Sequence, residues 1–299
     1  MTSTVLWANG ISISKIGMAY KWRISVTWFL LIFEAALGLA FPLAIGFCVD
    51  QLLQGNQQGL YVLGGVIAAA AIVGSFRRFY DTRVYSAIYV ELGDGLVAHE
   101  TGKGAPVSKI AARTSLLREL VEFFENSAPE LIASAIMFFG TLIVVATIDV
   151  GVMLICFVSS VLVIAVYAVS AKRIFTLNKG QNNELERHVQ VLEARDGRKT
   201  HRHLKRLMRW NIRLSDLETI NYGFVWVILG SMLIGSVYLI VVNPAISAGL
   251  KITSIMYVFD YIEVVVGLPL FFQEVVRLKE ITQRLSEGAK PKTSAVRKS

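Results

Sequence analysis

Residues 60–99 read LYVLGGVIAAAAIVGSFRRFYDTRVYSAIYVELGDGLVAH. Two patterns stand end to end in this stretch. Residues 60–76 carry no charge, and a hydrocarbon core takes about 20 apolar residues to cross. Phe76, Tyr80, Val84, Ile88, Leu92 and Leu96 then recur every four residues, with Arg77, Arg78, Asp81, Arg83 and Glu91 between them. That spacing predicts an amphipathic helix continuing straight out of the apolar run. At a rise of 1.5 Å per residue, residues 77–99 would reach about 35 Å beyond it.

Five more runs of this length follow the same logic. Together the six occupy residues 24–47, 60–76, 131–148, 150–171, 222–242 and 252–272. The composition, 54% hydrophobic and 17% charged, excludes an ordinary soluble domain. The first run is too long for a signal-peptide core, and no small-residue cleavage site follows it. It therefore reads as a retained span. Cys48 and Cys156 fall toward one face, where either a disulfide or two buried thiols would fit.

Charge fixes the expected topology. The connectors after spans one, three and five are short: residues 48–59, Asp149, and 243–251. Those after spans two and four are long: residues 77–130 and 172–221. Of the 30 Lys and Arg residues, only Lys251 lies in a short connector. The other cations share one side, so the positive-inside rule places both termini and both long connectors in the cytoplasm. The net charge of +8 is a product of this bias and gives no reason to expect nucleic-acid binding.

Both long connectors read as helical hairpins. In the first, Gly102-Lys-Gly-Ala-Pro106 is the break. A return helix then sets Leu116, Leu117, Leu120, Val121, Phe123 and Phe124 against Arg118, Glu119, Glu122 and Glu125. In the second, Leu185, Val189 and Leu192 go out, Arg195-Asp-Gly-Arg-Lys199 turns, and Leu204, Leu207, Met208, Leu214 and Leu217 come back. These apolar stripes need partners, and one chain offers few, which points to an intertwined homodimer.

Six spans with long extensions after the second and fourth resemble the transmembrane domain of an ABC exporter. In span one, Phe41-Pro-Leu-Ala-Ile-Gly46, then Asp50 and Leu52-Leu53-Gln54-Gly55, is similar to the pattern at the outer end of the exporters' first helix. Ser108-Lys-Ile-Ala-Ala-Arg-Thr-Ser115, with residues 116–125 after it, resembles the segment after their first coupling helix. Arg77-Arg-Phe-Tyr-Asp-Thr-Arg83 and Arg213-Leu-Ser-Asp-Leu-Glu218 look like the six-transmembrane ABC proteins that lack a fused ATPase.

The resemblance implies an all-α membrane protein of the type I exporter kind, a single transmembrane domain over residues 1–299 with a cytoplasmic tail from 273. It implies the bacterial inner membrane. Exporters couple transport to ATP through a domain carrying GxxxxGK[ST], whose backbone N–H groups cradle phosphates. None of the 299 residues form that motif. The nearest stretch, Gly288-Ala-Lys-Pro-Lys-Thr-Ser294, lacks the second Gly and carries a Pro. The expectation is therefore no enzyme activity and no cofactor in this chain, with ATP entering through a separate ATPase subunit. The other reading is a transporter-derived scaffold, sensor or accessory protein that has lost ATP coupling.

Candidate site residues follow from chemistry that is costly inside a bilayer. Glu34 lies mid-way along span one, and Asp260 and Glu263 share one face of span six. Acids there face a bundle interior or a water-filled cavity. The functional reading is a pathway lining that favours cationic or zwitterionic groups; the structural one is a hydrogen bond between spans. Gly267 and Pro269 interrupt span six, and Pro42 interrupts span one, each as a hinge or a static bend.

Docking falls to the two turns: Gly102, Lys103 and Pro106, and Arg195, Asp196, Gly197, Arg198 and Lys199. Eight cations and one acid lie between Arg195 and Arg213. They fit either an acidic partner or lipid headgroups, or a solvated face. Trp210 would anchor that contact or pack beneath the returning helix. His201 and His203, two apart, point to different helix faces, and His99 and His188 are distant in sequence, so no metal site is expected. Gly65/Ala69 and Ser231/Gly235 are small pairs suited to close helix packing.

Overall fold

The structure, a computed structural model, describes residues 13–287. Residues 288–299 of the expected tail, with the stretch from Gly288 to Ser294, lie outside the described residues. The described residues are helical between short turns: α1 Ile13–Ala19, α2 Lys21–Leu53, α3 Gln58–Gly102, α4 Val107–Glu122, α5 Ala128–Ile148, α6 Val150–Glu186, α7 His188–Glu193, α8 Gly197–Val242 and α9 Ala248–Glu287. Six helices among them are long and apolar enough to cross a membrane. This is an integral membrane protein.

The first long connector leaves span two without a break. The 45-residue α3 contains both the apolar run 60–76 and the amphipathic stretch after it. Such a helix is about 68 Å long, more than twice a hydrocarbon core. It stops where the sequence offers a stop. Gly104 takes φ +66°, a left-handed conformation that costs glycine nothing. Pro106 is extended, and the next helix begins directly after it.

The return helix ends in a wider turn over Phe123–Ser127, where the Ala128 N–H bonds the Phe123 carbonyl. Pro129 follows at once. Its missing N–H and its ring both disfavour the ordinary i−4 bond there.

The described residues divide into two units. One comprises residues 13–141, 247–253 and 267–287. Its core joins Val84, Tyr85, Ile88, Leu92 and Leu96 of α3 to Leu117, Leu120 and Val121 of α4, with Ile16 and Ile281 closing the ends. From Val84 to Leu96 the stripe read from the sequence is thus covered by this chain's own return helix, while Phe76 at its start stays exposed. For the first connector, the expectation that its stripe needs another chain is corrected: Leu92, Leu96 and Leu117 are fully buried without one.

The other unit comprises residues 142–246 and 254–266. Val152, Cys156, Ser160 and Val163 on α6 are buried, as are Val225, Leu229, Met232, Ser236 and Ile240 on α8 and Tyr257, Tyr261 and Val265 on α9. Steps of three and four residues keep each set on one helix face. Asp149 makes the one-residue connector workable. Its Oδ1 accepts from the Gly151 N–H at 2.8 Å and the Val152 N–H at 3.2 Å, and its Oδ2 from Asn243 at 3.0 Å. Cys48 and Cys156 are free, buried thiols, so no disulfide links them.

The second connector differs from its sequence reading in two ways. Its turn is tighter than residues 195–199. Arg195 alone is left-handed, at φ 47°, and Gly197, Arg198 and Lys199 already belong to α8. Asp196 ends the turn as an N-cap, its carboxylate accepting from the Arg198 and Lys199 N–H groups at 2.9 and 3.2 Å. The outgoing stripe is also uncovered: Leu185, Val189 and Leu192 are exposed, as are Leu204 and Met208, and only Leu207 is buried.

Candidate functional site

Glu34 is no solitary acid. Arg77, at the end of span two, bonds it through Nε and reaches Asp81 through Nη1 at 3.0 Å. Gly74 leaves the space that the Glu34 carboxylate occupies, since a Cβ there would lie 2.9 Å from Glu34 Oε1. The antiparallel crossing of α2 and α3 thus turns a costly intramembrane acid into part of a partly buried ionic cluster with two acids and one cation. Arg77 enters the sequence reading only as a motif residue and a topology-setting charge, with no hint that it would meet a side chain 43 positions away.

The C-terminal end of span one and the N-terminal end of span six meet through backbone. A Cβ on Gly249 would run into the Gly46 carbonyl oxygen and the Asp50 carboxylate, and one on Gly46 into Thr253 and Gly249. Asp50 caps the last helix from a distance of 199 residues, its Oδ1 accepting from the Gly249 N–H at 2.8 Å and its Oδ2 from the Ser247 hydroxyl. Thr253 donates to the Pro42 carbonyl at 2.9 Å. Pro42 itself is buried inside an unbroken α2. The Asp-x-Leu-Leu-x-Gly stretch therefore has a physical role: its acid fixes where span six begins.

Asp260 and Glu263 occupy α9 one turn apart, Asp260 half-buried and Glu263 exposed. Around them, Tyr257 and Tyr261 are fully buried, and the Tyr261 hydroxyl shares a 2.6 Å hydrogen bond with Ser160 of α6. That bond anchors the helix face next to the acids. Gly267 and Pro269 lie inside an unbroken α9, and a Cβ on Gly267 would press 3.1 Å from the Phe271 ring.

Both connector turns are braced by a buried carboxylate. At the first, Glu100 has no exposed surface and pairs with Arg113 and, at 3.2 Å, with Lys109. The brace holds Gly102, Lys103 and Pro106 between two fixed helices. At the second, Glu184 accepts from Arg206 Nε at 2.9 Å and lies 2.9 Å from His203 Nδ1. These residues lie well beyond the apolar run 150–171. Burial works to raise the Glu184 carboxyl, but the His203 hydrogen bond and the Arg206 charge outweigh it and hold it below the usual glutamate range. The Lys199 and Arg198 backbone N–H groups likewise hold Asp196 low.

Trp210 packs inward. Its ring lies where a Cβ on Gly180 would be, at 2.9 Å, and Arg213 stands 5.5 Å above it. Among the described residues, no group of three or more His, Cys, Asp or Glu side chains is placed to hold a metal ion.

Residues 13–249 match the family model described as ABC transporter transmembrane region. The chain belongs to that family. No curated protein matches it. The family relation covers α1 through the first residues of α9, and so includes both braced turns and the Glu34–Arg77–Asp81 cluster.

Proposed function

We propose that this ABC transmembrane chain is the membrane-spanning subunit of a transporter, works as a homodimer, and takes its motion from a separately encoded ATPase. The observation that carries this reading is the pair of rigidly braced turns at the ends of helices far longer than a bilayer requires. A lever must be stiff and must end in a defined surface. Glu100 with Arg113, and Glu184 with Arg206, supply stiffness where the turns are.

The cation bias supports a cytoplasmic position for both turns and both termini; the reading sets them in a bacterial inner membrane. The exposed stripe of Leu185, Val189, Leu192, Leu204 and Met208 supports a second copy over the second connector. Asp260 and Glu263 receive no hydrogen bond or ion pair from any described residue, which suits a wet pathway that attracts a cationic or zwitterionic substrate. Glu34 has a cation of its own in Arg77, so its part in the pathway is electrostatically muted.

An acidic surface on the ATPase would meet the basic face of α8. Reversing Arg198, Arg202 and Arg209 to Glu leaves the Glu184 brace intact. It should weaken capture of the ATPase by at least about tenfold, or about 1.4 kcal/mol. Pull-down from detergent at two salt concentrations measures this. Undiminished capture by the reversed variant would remove α8 from the docking surface.

A further inference from the structure

The turn of the second connector brings together two histidines that lie fifteen positions apart. His188 opens α7 and His203 lies on α8, with His188 Nδ1 and His203 Nε2 3.1 Å apart. His203 is completely buried, and its other nitrogen, Nδ1, is 2.9 Å from the Glu184 carboxylate. A carboxylate accepts only, so Glu184 places the His203 proton on Nδ1 and leaves Nε2 with a lone pair aimed at His188.

This is the arrangement of a metal-ligating histidine with its outer carboxylate, which fixes tautomer and ring orientation and raises ligand basicity. Two nitrogens bound to one zinc ion at 2.0–2.1 Å, with a tetrahedral angle, stand about 3.3 Å apart. The observed separation is within a few tenths of an ångström of that. An ion bound by both nitrogens sits off the line between them, so admitting it requires both rings to turn their lone pairs toward it.

We propose that His188 Nδ1 and His203 Nε2 form a two-histidine site for a borderline divalent transition ion of the zinc class, with Glu184 as the orienting carboxylate and water in the remaining positions. Imidazole suits such ions, whereas Mg²⁺ and Ca²⁺ take oxygen ligands. In the metal-free protein, one N–H bridges the two rings. Binding moves the His188 proton to its Nε2 without net proton release, and the ion then replaces the bridge. The bound ion pins α7 to α8 and stiffens the turn. The abundant arginines nearby, Arg206 foremost, weaken cation binding, so the site is a modest one that serves the fold of the turn.

The test is calorimetry with Zn²⁺ on the full chain in detergent, alongside its thermal unfolding. Wild type should bind about one ion per chain, at micromolar affinity, with a matching rise in melting temperature. Mg²⁺ should do neither. His188→Ala sits on a half-exposed residue, so it should fold normally and weaken binding by at least about tenfold. His203→Gln, whose fold is checked by the same melting curve, should do the same. His201→Ala, on another face of α8, should change affinity by less than about threefold. Failure of wild type to bind Zn²⁺ below about 100 μM, or His188→Ala binding like wild type, would overturn the assignment.

Discussion

Arg77→Met should be the most damaging single substitution in the apolar region. It leaves Glu34 and Asp81 facing one another with no cation, the Asp81 side chain only 4% exposed and that of Glu34 27%. Removing one partner of a buried ion pair costs about 3–5 kcal/mol, because the remaining charge stays desolvated. The loss should appear as a lower melting temperature in detergent and as poor yield from the membrane. The triple variant Glu34→Gln, Arg77→Met, Asp81→Asn should recover most of it, since no unpaired charge remains. If Arg77→Met alone melts like wild type, the cluster is not a unit.

The second large effect belongs to Gly249→Val. The side chain would enter space held by the Gly46 carbonyl and the Asp50 carboxylate, and backbone cannot step aside as a flexible side chain can. Overpacking costs about 1–3 kcal/mol and occasionally more. Here the Gly249 N–H bond to Asp50 goes as well. Gly65→Val supplies the contrast, because no heavy atom lies within 4 Å of a Cβ at that site. Gly249→Val should lower the detergent melting temperature by several degrees, and Gly65→Val by little; equal melting would contradict the span one to span six junction.

These two sites mark where the sequence was readable and where it was not. Hydropathy, charge bias and the four-residue stripe of α3 are local, and they predict the spans, the outgoing helix and the break at Gly102. The Arg77 pairing is not local, because it depends on the phase of two helices crossing. The same limit explains the glycines. Gly65/Ala69 has the spacing of a packing motif, yet Gly65 faces open space, while Gly46 and Gly249 make the close approach across 203 positions. His188 lies fifteen positions before His203 in the sequence, and a left-handed Arg195 turns that distance into a contact. Asp50 was readable as part of an exporter-like pattern, but its task as a cap needed the far end of the chain.

The central claim is that the chain supplies a transport pathway and a partner supplies ATP-driven motion. The most direct measurement is ATP hydrolysis by the co-purified partner, with and without this chain, in proteoliposomes. The expected result is a stoichiometric ATPase subunit whose hydrolysis rises severalfold with the wild-type chain. A smaller rise is expected with the Arg198, Arg202 and Arg209 reversals. Recovery of membrane proteins alone, with no ATPase and no change in hydrolysis, would contradict that claim and favour a scaffold that no longer couples to ATP.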